Sequence, residues 1–136
     1  METVSVSREI SGPAESIREL MSDYKSFFEG AGFDEVRVDD NRVEIGNSVG
    51  LLSVDLELEV IDTEADLAYR QLEGIFKNMQ TRFELEEKNG KTAVTATTDF
   101  ELDANIVGPI LDATIVSKQR KKEINKQLDY LEEVSE

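Results

Sequence analysis

Cysteine, histidine and tryptophan are absent from this chain of 136 residues, and proline occurs only twice. Without cysteine the chain can form no disulfide, thiolate nucleophile or cysteine-ligated zinc site. Without histidine it also lacks the most common general base and metal ligand. It has no histidine that could activate a serine nucleophile and no phosphate-cradling glycine loop. We therefore expect no catalytic residue, no metal site and no cofactor, although the sequence leaves open whether the protein is an enzyme.

Long apolar runs are also missing. None approaches the ~18–20 residues of a membrane-spanning helix, and residues 1–8 do not resemble a secretory signal. We expect a cytoplasmic protein without stable membrane insertion. At 39% hydrophobic residues the chain can bury a core without a metal or a disulfide. Its length predicts one domain over residues 1–136.

Basic residues are scarce relative to acidic ones, with 15 against 30 and a net charge of −15. Such a surface repels the phosphates of nucleic acids, so we expect no nucleic-acid partner. The acidity suits solubility, a high-salt environment or a basic protein partner, and the sequence leaves these alternatives open. It also leaves the oligomeric state undetermined.

The longest periodic stretch is the last one, and it predicts a single helix over residues 109–133 that opens with Pro109. Its apolar residues fall on two adjoining stripes, formed by Val107, Leu111 and Ile115 and by Ile110, Ile124, Leu128 and Leu131. Its basic residues, Lys118, Arg120, Lys121, Lys122 and Lys126, are predicted to form a solvated face balanced by acids such as Glu123 and Asp129.

Alternation of apolar and polar residues predicts strands in most of the preceding chain. The clearest strand covers residues 52–60 and has one apolar face and one acidic face that contains Asp55, Glu57 and Glu59. Asn89-Gly90 predicts a tight hairpin, because both central positions of a type I′ turn need positive φ. Residues 46–50 are predicted to be a flexible turn. The predicted order is a strand, two short helices, about six strands and the long helix.

This order resembles that of the START-like, or Bet v 1-like, helix-grip superfamily, which is also called SRPBCC or the polyketide cyclase and lipid transport group. Ile10-Ser11-Gly12-Pro13-Ala14-Glu15 resembles the family's entry to its first helix, Asn89-Gly90-Lys91-Thr92 with Val94 resembles its penultimate hairpin, and Tyr130-Leu131 resembles its closing helix. The glycine-rich loop of the plant members is not matched by residues 46–50. The resemblance implies an α+β fold in which a curved antiparallel sheet wraps around a long C-terminal helix, with two short helices after the first strand.

The resemblance further implies an apolar cavity between sheet and helix. Its expected walls are the inward residues of the strands, which are Val54, Leu56, Leu58, Tyr69, Met79, Thr81, Phe83, Ala96, Thr98 and Phe100. From the helix we expect Leu111, Thr114 and Ile115, with Lys118 beside them. The small Ala96 and the threonine hydroxyls would leave room and offer hydrogen bonds. The alternative is that all these residues simply pack as core.

The leading functional hypothesis is a non-catalytic carrier or sensor that binds a small hydrophobic ligand, such as a lipid, an isoprenoid or a polyketide-like molecule. One alternative is a cyclase or dehydratase that uses the same cavity. Another is a protein-interaction module that docks a partner through the acidic sheet face or the basic helix patch. Arg70 and Arg82 are interpreted as outer-face residues, while the facing of Glu73 and Asp99 is left open.

Overall fold

The computed structural model describes residues 1–49, 52–103 and 112–135, without the side chains of residues 49 and 52. The described elements are β1 (Glu2–Ser11), α1 (Ala14–Ser22), α2 (Tyr24–Glu29), β2 (Glu35–Asp39), β3 (Arg42–Val49), β4 (Leu52–Ile61), β5 (Leu67–Glu73), β6 (Phe76–Lys88), β7 (Lys91–Leu102) and α3 (Ala113–Val134). This order confirms the predicted sequence of elements.

The described strands form one seven-stranded sheet in the order β1-β7-β6-β5-β4-β3-β2. All neighbouring strands pair antiparallel. Register shifts next to Leu58 and after Phe76 mark irregularities at which a sheet can bend. The predicted hairpin between β6 and β7 is confirmed, with φ of 56° at Asn89 and 77° at Gly90.

The prediction of a flexible turn at residues 46–50 is wrong for its first part. β3 continues to Val49, and its ladder with β4 is unbroken from Arg42↔Glu59 to Val49↔Leu52. Gly46 and its polar neighbours favour turns locally, but the hydrogen bonds to β4 outweigh that preference. Gly50 lies outside the described residues.

The two short helices and α3 all cover the inner face of the sheet. Phe27 of α2 lies with its ring centroid 5.2 Å from that of Phe83, and Phe28 lies 4.9 Å from Tyr69. α3 packs mainly along β1, with further contacts to β7. Ile124, Leu128 and Leu131 of α3 are buried, as the periodicity predicted.

α3 begins later than predicted, at Ala113. Asp112 has extended backbone angles, and its side chain accepts a hydrogen bond from the Ile115 N–H at 3.0 Å, so it is the N-cap. The predicted start at Pro109 lies outside the described residues. No helix within residues 1–49, 52–103 and 112–135 is long and apolar enough to span a membrane.

Candidate functional site

The strands bring the predicted wall residues together on the concave face. Nine of them are buried, namely Val54, Leu58, Tyr69, Met79, Thr81, Phe83, Ala96, Thr98 and Phe100, while Leu56 is half-buried. The outward facing of Arg70 and Arg82 is also confirmed, because both pair with carboxylates on the other face. Glu73 is exposed, and the half-buried Asp99 accepts hydrogen bonds from Thr3 and Arg82.

The helix contributes different residues from those predicted. Thr114 is exposed, Ile115 is 42% exposed and Lys118 is exposed, so none of them is enclosed against the sheet. Leu111 lies outside the described residues. The reason is helical phase: at 100° per residue, Ile115 is about 180° away from the buried Ile124. The inward stripe begins one residue later, at Val116.

A charged pair occupies that inward stripe. Arg120 and Glu123, which the sequence suggested were solvated, have side-chain exposures of only 7% each. One guanidinium nitrogen of Arg120, Nη1, donates to Glu123 Oε1 at 2.6 Å. Asn47 and Gln119 donate to the other carboxylate oxygen at 2.8 and 3.0 Å. Both oxygens of Glu123 are therefore hydrogen-bonded.

The second Arg120 nitrogen, Nη2, reaches the sheet. It donates to Thr81 Oγ1 at 3.1 Å and approaches Thr98 Oγ1 at 3.4 Å. These threonines are directly opposite each other on β6 and β7, and Thr81 donates to Thr98 at 2.8 Å. The two hydroxyls thus bond to each other and to α3 across the interior.

Electrostatics keep the guanidinium charged. Burial acts to lower the pKa of Arg120, but the Glu123 carboxylate and the nearby Tyr69 phenol together raise that pKa above its ordinary value. The guanidinium consequently carries its charge at the pH of any ordinary buffer. With the carboxylate it forms a pair that is neutral as a unit.

Three buried polar atoms lack a hydrogen-bond partner among the described residues. They are Nε of Arg120 and both polar atoms of the Gln127 amide. Gln127 is fully buried two helical turns beyond Arg120, on the same face of α3. A buried polar group without a partner is unfavourable and uncommon, so each of these atoms needs an explanation.

A cavity of about 30 Å³ lies between α3 and strands β3 and β4. Its walls are mainly apolar, and Arg120, Glu123, Gln119 and Asn47 supply the polar part; the apolar lining residues are Phe33, Ile45, Val54, Leu56, Ile75, Phe76 and Val116. Two predicted wall residues, Val54 and Leu56, thus line it. The other buried ones are part of the interior and do not line this cavity.

The sequence-based prediction missed Asn47, Arg120, Glu123 and Gln127. One signal was present: Arg120 and Gln127 are seven residues apart, in phase with Ile124 and Leu131, and so belong to the buried stripe.

No group of three or more acidic side chains that could hold a metal ion occurs in the described parts of the chain.

A comparison with protein-family models finds no match, and neither does a comparison with curated protein sequences. Solved structures do match. The Zhui aromatase/cyclase from Streptomyces sp. R1128 has a TM-score of 0.77 and 18% identity over 99% of this chain and 96% of that chain. A protein from Thermus thermophilus has a TM-score of 0.76 and 22% identity, covering 97% of this chain and 95% of that chain.

A START superfamily protein from Mycobacterium smegmatis has a TM-score of 0.73 and 16% identity, covering 96% of this chain and 94% of that chain. At identities this low, the likeness shows the fold alone. Together with the antiparallel sheet, the two short helices after β1 and the long α3 over the inner face, it shows that the chain has the START-like helix-grip fold.

Proposed function

We propose that the protein binds a small, largely apolar molecule, such as a lipid, an isoprenoid or a polyketide-like compound, between its sheet and α3, as a non-catalytic carrier or sensor. The observation that carries the proposal is a buried polar cluster in the wall of an otherwise apolar cavity. The cluster consists of Arg120 and Glu123 with Asn47 and Gln119. Arg120 Nε lacks a partner among the described residues, and a cavity with apolar walls and a few polar groups is typical of small-molecule sites.

Binding would require the cavity to enlarge. Its 30 Å³ is about the volume of one water molecule, whereas ligand pockets enclose roughly 300–1,000 Å³. Two of its walls suit such a movement. Phe33 and Ile75 are half-buried and lie in the connections before β2 and between β5 and β6, where displacement disrupts few ladder hydrogen bonds.

Adjacent helix positions provide a matched test. Val116 lines the cavity and is 3% exposed, while its neighbour Ile115 is 42% exposed. Tryptophan at position 116 would fill the cavity, at a cost in overpacking of about 1–3 kcal/mol. The same side chain at position 115 lies outside the cavity. We expect Val116→Trp to abolish binding and Ile115→Trp to preserve it.

The measurement is native mass spectrometry, first of protein purified gently from its own cells and then of each variant incubated with the released compound or with 1-dodecanol. Circular dichroism establishes that both variants are folded. Equal binding by folded Val116→Trp and Ile115→Trp proteins would contradict this location. Absence of binding by the wild-type protein to any apolar compound would contradict the proposed function itself.

A second candidate, a cyclase-type enzyme, is favoured by one observation. Arg120 and Glu123 place a cation and an anion at the cavity wall, where they could hold a flexible polyketide-like chain in a reactive conformation. Incubation with a poly-β-carbonyl substrate and chromatography of the products tests it. Product formation that survives Arg120→Met would contradict a role for the pair.

A further inference from the structure

The net charge of the buried polar cluster determines which ligands it can bind. Arg120 and Glu123 balance each other, so the cluster has no net charge to neutralise a charged ligand. Glu123 already accepts three hydrogen bonds, from Arg120, Asn47 and Gln119. An anion placed beside the pair would therefore be a second negative charge in a medium of low dielectric constant, next to Glu123.

The hydrogen-bonding capacity of the cluster points to a specific chemistry. Nη1 and Nη2 of Arg120 are bonded to Glu123 and to Thr81, whereas Nε is buried without a partner in the described part of the chain. A guanidinium N–H can only donate. The missing partner must therefore be an acceptor, and an apolar molecule without an oxygen or nitrogen atom would leave the donor unmatched.

We propose that the ligand carries an uncharged oxygen acceptor, namely the oxygen of a ketone, ester or alcohol, which accepts from Arg120 Nε, and that the site rejects carboxylates. This inference rests on the proposed function, because it assigns the chemical class of the ligand in the same cavity. It also gives the ion pair a role beyond filling space. Glu123 cancels the positive charge that would otherwise attract acids.

The first test compares four probes of equal chain length on the wild-type protein at about pH 7, where a carboxyl group is ionised. They are 1-dodecanol, methyl dodecanoate, dodecanoic acid and dodecane. We expect the alcohol and the ester to bind most tightly. Dodecane should bind about tenfold more weakly, because it cannot accept from Arg120. Dodecanoic acid should bind about 100-fold more weakly, because it must enter as the neutral acid or as an uncompensated anion.

The pH dependence sharpens the comparison. If only the neutral acid enters, its affinity should rise about tenfold for each pH unit by which the solution is acidified, down to the pKa of its carboxyl group. The titratable groups around the cluster are Glu123 and Tyr69, besides Arg120. The alcohol measured over the same pH range controls for changes in these groups. Its affinity should stay constant where that of the acid rises.

A direct readout is the ¹⁵N–¹H signal of Arg120 Nε. It should shift downfield on binding the alcohol or ester and should shift less on binding dodecane, because a hydrogen bond deshields the proton. Glu123→Gln should reverse the preference, since the remaining guanidinium charge then attracts the acid. Glu57→Gln, which alters a surface pair with Arg42, is the matched control and should leave the preference unchanged.

The outcomes separate the two proposals. Dodecanoic acid that binds as tightly as 1-dodecanol at about pH 7 would overturn the inference while leaving the binding function intact. Equal affinities for dodecane and the alcohol, with an unmoved Arg120 signal, would do the same. If none of the four probes binds, the proposed function fails for compounds of this class, and the inference fails with it. These readings need only the wild-type protein, so they stand even if Glu123→Gln does not fold.

Discussion

At the scale of single residues, the molecule's most consequential contact is the ion pair between Arg120 and Glu123, because neither charge can return to water without opening the core. Removing one partner of such a pair leaves a buried charge without compensation. Removing both can leave stability nearly unchanged. A single substitution should therefore destabilise the protein much more than a double substitution that removes both charges.

We predict that Glu123→Gln lowers the free energy of unfolding by about 3–5 kcal/mol, while the double variant Arg120→Met/Glu123→Gln is much closer to the wild type. The reason is that methionine fills a similar volume without a charge. Urea unfolding followed by circular dichroism measures both. A double variant that is less stable than Glu123→Gln would contradict the electrostatic explanation.

Gln127 presents the opposite case, because its amide is fully buried and lacks a partner within the described chain. Gln127→Met keeps the length and shape of the side chain and removes the unmatched atoms. We predict a rise in the free energy of unfolding of about 1–3 kcal/mol. Gln119→Met is the matched control: it removes a donor to Glu123 and should lower stability. Thermal unfolding of both variants measures these changes in stability. A Gln127→Met variant that is less stable than the wild type would show that the amide forms a hydrogen bond in the folded protein.

Burial of these polar residues was the hardest feature to predict. Charged side chains are rarely fully buried unless they are paired, and the sequence does not show that Arg120 meets Thr81, which is 39 positions away. The helical phase did indicate that positions 120 and 127 share the buried face. The charge of Arg120 favours a solvent-exposed position, but its hydrogen bonds to Glu123 and Thr81 stabilise it in the interior.

At the scale of elements, the strands were predictable because alternation repeats over many residues. Residues 52–60 and the β6–β7 hairpin could be read from local pattern and turn chemistry alone. The extension of β3 through Gly46 could not, since it depends on pairing with β4. The start of α3 depended on one capping side chain, Asp112.

That cap can be tested by itself. The Ile115 N–H belongs to the first turn of α3, where backbone N–H groups have no carbonyl partner within the helix. The Asp112 side chain accepts a hydrogen bond from it instead. We predict that Asp112→Ala lowers the free energy of unfolding by about 1 kcal/mol, whereas Asp112→Asn, which retains an acceptor, has little effect. Urea midpoints of the two variants are the measurement. Equal losses would indicate that the charge of Asp112, and not its hydrogen bond, stabilises the helix.

At the scale of the whole molecule, excess negative charge surrounds a neutral interior. The protein has 30 acidic residues against 15 basic ones, and Arg42, Arg70 and Arg82 each pair with a carboxylate on the outer face. One of the acids, Glu123, is balanced inside by Arg120. The remaining excess lies at the surface, where like charges repel across distances longer than a hydrogen bond.

We predict that added salt stabilises the protein. Raising NaCl from about 0.01 M to about 0.15 M shortens the Debye length from roughly 30 Å to 8 Å, which screens this repulsion more than it weakens contact pairs. The urea midpoint should therefore rise with salt. Glu86→Lys/Glu133→Lys alters two exposed residues, and since each substitution changes the charge by two, the net charge of −15 becomes −11. At low salt this variant should be more stable than the wild type, and its urea midpoint should change less when salt is added. A midpoint that falls with salt would show that the surface ion pairs outweigh the net repulsion.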